Sequence, residues 1–163
     1  MENTYKTILE LFGLGSYLLL GALAVNRLYQ SYKAEKIGLS NTITYHSQEE
    51  LDRDLPGRIE RFGLNRFDIT ARLEEIEPSQ RNLFARADIH IGEDGKHVKI
   101  RLSPTRGNYR FGLDHELAHL CQFEQGSKVT PKGLFNFIKF TLIYDPEANF
   151  YAAGLKQPKK DIK

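Results

Sequence analysis

His115-Glu116-Leu117-Ala118-His119 is the part of this chain whose residue types and spacing can do chemistry. Residues i and i+4 of a helix lie one turn apart on the same face, so the two imidazoles can converge on one ion. Glu116 falls to one side of that face. From there it can reach a water on the metal without ligating the metal itself. Neutral imidazoles suit zinc, and a catalytic zinc keeps one position open for water. The expected chemistry is hydrolysis of a peptide bond by metal-activated water, with Glu116 as general base. A shuffled chain of this composition shows the pattern roughly once in a hundred. The competing reading, a helix carrying two exposed histidines, is therefore the weaker one.

A third ligand has to come from another element. Asp145-Pro146 is a helix opening, since Asp can cap and Pro suits the first turn; Gly154 marks its end. Glu147 on that helix, 28 residues beyond His119, is a candidate ligand or an ordinary first-turn glutamate favoured by the helix dipole. Glu124 is the rival, but it lies at the far end of the histidine helix. Tyr109, Tyr144 and Tyr151 are candidates to donate to a developing oxyanion. Asn149 and Asp114 are candidates to orient the histidines. His46, His90 and His97 fall on expected strands and read as surface or satisfied histidines. Cys121 reads as a small buried hydrophobe rather than a nucleophile.

The stretch Arg110-Phe-Gly-Leu-Asp-His-Glu-Leu-Ala-His-Leu resembles the active helix of the ImmA/IrrE family of metallopeptidases. Glu147-Ala-Asn-Phe-Tyr-Ala-Ala-Gly-Leu resembles that family's second helix, and Ile100-Arg-Leu-Ser-Pro the strand and turn before the first. The similarity covers about 100–155. It implies a gluzincin-like fold, Zn2+ as cofactor on His115, His119 and Glu147, and endopeptidase activity on a protein or peptide substrate. In known members that activity removes transcriptional repressors. The family often carries a DNA-binding helical module, whereas this chain has a hydrophobic amino terminus, so repressor cleavage is not carried over.

The elements that must position these residues can be read from patterning. Ser47 with Glu50 is a capping box opening a helix to about Phe62. Thr42–His46 is β-branched and aromatic and predicts a short strand. Phe67, Ile69, Ala71 and Leu73 alternate, as a half-buried strand does. Ala85–Ile91 and His97–Leu102 flank Gly92-Glu93-Asp94-Gly95 and predict a hairpin. Its second strand, His97–Leu102, is a candidate to pair with an extended substrate backbone. The apolar insert Gly126–Tyr144 predicts a buried helix, with a substrate-covering or membrane-facing flap as the alternative.

Leu11–Val25 carries no charge, and 7–25 contains only Glu10. That is near the length of a membrane-crossing helix. A cleaved signal peptide fits Ala22-Leu23-Ala24 but not the acidic leader before it; a core or oligomer helix is the third reading. Arg27, Lys33 and Lys36 follow the segment, so the positive-inside rule makes the chain a single-pass membrane protein with its catalytic part in the cytoplasm. A single cysteine excludes an intramolecular disulfide and favours a reducing compartment. A net charge of +2 gives no nucleic-acid footprint. The C-terminal Lys156–Lys163 reads as a solvated tail. The sequence thus predicts an α+β, zincin-like domain (37–163) with a small twisted sheet and an HExxH active helix, preceded by an N-terminal hydrophobic helix and stalk (1–36). A non-catalytic, membrane-tethered zinc-binding or interaction module is the alternative.

Overall fold

The computed structural model describes residues 2–76, 87–105, 109–126 and 139–157, with side chains from 19 onward and without that of Phe140. Helix α1 runs unbroken over Glu2–Ser40. The segment Asn26–Lys36, expected to be a stalk, is the stretch on which the domain sits: Ser31 and Ala34 are buried there. Near its end Gly38 faces the ring of Phe111, and a Cβ at that position would collide with the ring. Among the residues whose side chains are described, no helix is long and apolar enough to cross a membrane; residues 2–18 lie outside that statement.

Helix α2 spans Gln48–Phe62 and begins as its capping box predicts. The Ser47 hydroxyl accepts from the Glu50 amide at 3.3 Å, and the Glu50 carboxylate accepts from the His46 amide at 2.7 Å. Between them they satisfy two amide donors at the start of the helix. Gly63, at φ 70°, closes the helix: its amide reaches Glu60 O, and Leu64 N reaches Ile59 O, both at 3.0 Å. Only a residue that tolerates the left-handed region can turn the chain there without strain.

Three strands follow: β1 Asp68–Leu73, β2 Ala87–Ile91 and β3 His97–Leu102. Residues 85 and 86 of the expected first hairpin strand lie outside the described residues. Gly92–Gly95 makes the hairpin turn, with Gly92 N donating to His97 O at 2.8 Å and Gly95 at φ 66°. The sheet order is β1-β3-β2, with β1 parallel and β2 antiparallel to β3. Ile69, Ala71, Val98, Ile100 and Leu102 alternate onto the covered face. Thr42–His46 is not a strand. It makes an isolated bridge, Thr44 with Tyr109, because its backbone groups serve a helix start instead.

That helix is α3, Arg110–Glu124. Tyr109 in the capping position has no hydroxyl near enough to cap. The Thr42 hydroxyl takes over, accepting from Phe111 N at 2.9 Å, while Arg110 N donates to Ile43 O at 3.0 Å. Leu113, Leu117 and Leu120 are fully buried with Leu51, Leu64, Ile100 and Leu102 in one core. Residues 127–138, most of the apolar insert, lie outside the described residues. The chain then enters a π-helical stretch, Phe140–Tyr144, that leads directly into α4, Asp145–Ala152. Gly154, at φ 71°, ends α4 as expected, with Leu155 N on Phe150 O at 3.0 Å. The fold is α+β: four helices and a three-stranded sheet among the described residues.

Candidate metal centre

Helix α3 is covered on almost every side, which fixes its polar side chains as firmly as its leucines. Asp114 is buried and receives Arg58 Nε at 2.7 Å and Arg61 Nη1 at 3.1 Å, with a second, close contact from Arg58. Burial pushes its carboxyl above the usual carboxylate range, and the charges of Arg58, Arg61 and Arg110 offset only part of that. Asp114 therefore holds α3 to α2; it touches neither histidine.

One turn of α3 presents His115 and His119, their rings edge to face with centroids 4.6 Å apart. Their Nε2 atoms lie 3.0 Å from one another. Each ring is oriented through its other nitrogen. His115 Nδ1 is 2.8 Å from Asn149 Oδ1 on α4, the partner expected from sequence. His119 Nδ1 is 2.8 Å from Gln122 Oε1, and the Gln122 amide in turn donates to Tyr144 O at 2.8 Å. Since Nδ1 of each ring meets an acceptor, Nδ1 carries the proton and Nε2 presents a lone pair.

The carboxylate facing these lone pairs is that of Asp145. Its Oδ1 lies 3.4 Å from His115 Nε2 and 3.8 Å from His119 Nε2. The three atoms form the one cluster of metal-ligating type among the described residues. The point equidistant from the corners of this triangle is about 2.0 Å from each, the range of zinc–nitrogen and zinc–oxygen bonds. The donor set of two imidazoles and one carboxylate suits zinc as well as the distances do. Burial opposes charge on Asp145, but the two imidazoles outweigh it and hold its carboxyl well below the usual carboxylate range.

Glu147, two residues further on, is turned elsewhere. Its carboxylate accepts from Tyr151 Oη at 3.2 Å and pairs closely with the Lys156 ammonium. Burial raises its carboxyl, and Lys156 more than reverses that. The structure thus brings together His115, His119 and Asp145, and leaves Glu147 at the margin. Asp145 was readable only as a helix cap. With Tyr144, already helical, in the capping position, the Asp145 carboxylate faces the imidazoles instead. Gln122 was overlooked, although its position three residues after His119 puts it on the same helical face.

Glu116 is buried, and its carboxyl is pushed up to about 7, chiefly by burial and further by the charges of Asp88 and Asp145, against a lowering by His119. Its carboxylate takes no hydrogen bond from a described residue. Asp88, on β2, is itself held by Arg101 Nε at 2.9 Å. Among the tyrosines, Tyr151 is engaged with Glu147 and Tyr109 begins α3. Tyr144 carries its ring beside the Lys139 ammonium, 5.2 Å from the ring centre.

His46, His90 and His97 stand apart from the centre and exposed; His97 Nε2 lies 3.3 Å from Asp68 and His90 Nε2 3.5 Å from Asp88. Glu124 is paired with Arg66 at the far end of α3. The Cys121 thiol is pushed up to about 12 by burial and by nearby Glu124, which leaves it protonated and inert. The expectation that His97–Leu102 pairs with substrate is corrected by the sheet order. β3 is the central strand and both its edges are occupied, so β1 and β2 are the strands with an edge unpaired among the described residues. Comparison with models of protein families, with curated proteins and with solved structures finds no match for this chain.

Proposed function

We propose that this chain is a zinc-dependent metallopeptidase of zincin architecture, hydrolysing peptide bonds of a protein substrate and tethered to a membrane through α1. The observation that carries the reading is the convergence of His115 Nε2, His119 Nε2 and Asp145 Oδ1 on one point, with the Glu116 carboxylate buried on the same helix. The resemblance of 100–155 to ImmA/IrrE metallopeptidases, carried in part by the same helix, is in keeping with it and offers Glu147 as the carboxylate ligand in place of Asp145. Bound there, zinc would supply Lewis acidity, making water a nucleophile near neutral pH and polarising a carbonyl.

The chain's own residues do the rest. Asn149 and Gln122 hold the two imidazoles with Nε2 directed at the ion. Glu116 accepts a proton on its carboxylate and returns it to the leaving amine nitrogen. The edge of β2 left unpaired among the described residues offers an extended peptide a backbone ladder beside α3.

One zinc per chain is the expected metal content, lost in His119→Ala. Glu116→Gln should keep the zinc and lose cleavage of a quenched-fluorescent peptide library by about 100-fold or more. Zinc bound with no cleavage by the native chain would leave a non-catalytic, membrane-tethered zinc-binding module. The hold of Lys156 on Glu147 favours that second reading, since it turns one carboxylate away from the imidazoles.

A further inference from the structure

Helix α1 ties two things together that the proposed peptidase reading does not connect. Leu19, Leu20 and Val25 are 62, 63 and 68 % exposed and point in three directions roughly 100–140° apart about the helix axis. A single protein groove covers one face of a helix; side chains apolar all round call for a solvent that is apolar all round. These residues close the charge-free run Leu11–Val25. Immediately beyond come Arg27, Tyr29, Tyr32, Lys33 and Lys36, the residue types that collect where a bilayer meets water. Their heads pair along the helix, Lys33 Nζ lying 4.6 Å from the Tyr29 ring centre and Lys36 Nζ 5.1 Å from that of Tyr32.

The metal centre docks on that same boundary segment. The Arg27 guanidinium lies over the ring of Phe150 on α4, 5.0 Å from its centre. Ser31 Oγ, buried, accepts from Asn149 Nδ2 at 2.9 Å, and Asn149 is the residue that orients His115. Six residues separate Val25 from Ser31, about 9 Å along a helix axis. The headgroup layer on one side of a bilayer is about 6 Å deep. Two hydrogen bonds beyond Ser31, His115 therefore sits at the outer edge of the headgroups rather than on a stalk above them.

We propose that α1 seats the metal centre at the surface of a lipid bilayer, so that the polypeptide it takes is a segment emerging from that bilayer, within a few residues of the membrane. An extended chain advances about 3.3 Å per residue, which places the contacted bond roughly three to six residues out. The proposal rests on the membrane-tethered peptidase reading and narrows it to a substrate class.

The test uses the full chain in vesicles of phosphatidylcholine with one-fifth phosphatidylglycerol. Leu23→Cys, Leu28→Cys and Ile43→Cys, made one at a time, carry a fluorophore whose depth is read by brominated lipids; Cys121, buried and protonated, does not compete for the label. Quenching should be strong at Leu23, weak at Leu28 and absent at Ile43. An aqueous Leu23 overturns both the tether and the proposal. A second arm presents one peptide on a transmembrane helix, with a photo-crosslinking residue 4, 8 or 20 positions from the bilayer, and follows crosslinking and cleavage separately. Crosslinking at least 10-fold stronger at 4 than at 20 supports the proposal, even where nothing is cleaved and the peptidase reading alone fails. Equal crosslinking or cleavage at all distances overturns the proposal and leaves the peptidase reading intact.

Discussion

The two walls of the metal centre are built on different terms. On the α3 wall the polar side chains other than Glu116 are held by named partners: Asp114 by two arginines, His115 by Asn149, His119 by Gln122. On the α4 wall Asp145 and Glu147 lie two residues apart and hold different company, one facing imidazoles and the other a lysine. The Asp114 side chain is 3 % exposed and that of Asp145 43 %. A buried polar group without its partner costs its full desolvation, so partners inside the protein are obligatory. At the surface water can replace them. The centre thus pairs a wall that fixes direction with a wall that can exchange one carboxylate for another.

The strongest way to break the comparison is at Asp114. Replacing it by Asn leaves the largely buried Arg58 beside a neutral group, with Arg61 one-third exposed, and should destabilise the metal-free protein by about 3 kcal/mol in urea denaturation. The control is Arg66→Ala, which removes an exposed partner of Glu124 and should cost under about 1 kcal/mol. Similar losses from the two would mean that α3 is not held from behind.

Glu116 gives the next largest effect, and it runs the other way. Its carboxyl in the fold is raised to about 7, above its value in the unfolded chain, so between those values the folded state binds the extra proton. Stability of the metal-free protein should fall as pH rises through that window and level off above it, by about 3 kcal/mol in all. Glu116→Gln should flatten the profile and melt higher than the native chain at pH 8. A native protein equally stable at pH 5 and pH 8 would show that this carboxylate is solvated.

The same division explains what could be read from sequence. The rigid wall was legible: the spacing of His115, Glu116 and His119, the leucine stripe of α3 and the glycine stop at Gly154 follow from helix geometry and caps. Local rules reach that far because each concerns residues within a turn or two. The strand order was not legible, since alternation marks β3 as half-buried without saying which neighbours flank it, and the centre of the sheet was taken for a ladder free to accept substrate. Thr42–His46 has strand residues but spends its backbone on the start of α3. The α4 wall could not be resolved either: Asp145 and Glu147 share a helical first turn, and which one faces α3 depends on the π-helical turn before them, which sets the phase of the helix.

Metal titration separates those two carboxylates. With Asp145 as ligand, Asp145→Asn should weaken zinc binding by more than about 100-fold, beyond the range for a supporting residue, whereas Glu147→Gln should change it by less than about 3-fold. The opposite pattern would assign the ligand role to Glu147, as the family likeness has it, and would require its carboxylate to leave Lys156 when the ion enters.

Lys156 provides the smallest and sharpest measurement. Its ammonium pairs with Glu147 and lies 5.2 Å from the Tyr151 ring centre; half exposed, the pair is worth under about 1 kcal/mol to the fold. Lys156→Met should therefore leave the melting temperature of the metal-free protein almost unchanged. Its effect on zinc is what discriminates. Where Asp145 is the ligand, Glu147 is a bystander and affinity stays constant. Where Glu147 must swing across, releasing it from Lys156 removes a competing charge and zinc should bind about 2- to 5-fold more tightly, the same free energy now appearing in the binding of the ion. An affinity change with no stability change would show that the α4 wall is adaptable in fact as well as in geometry; no change in either would fix Asp145 as the carboxylate that completes the centre.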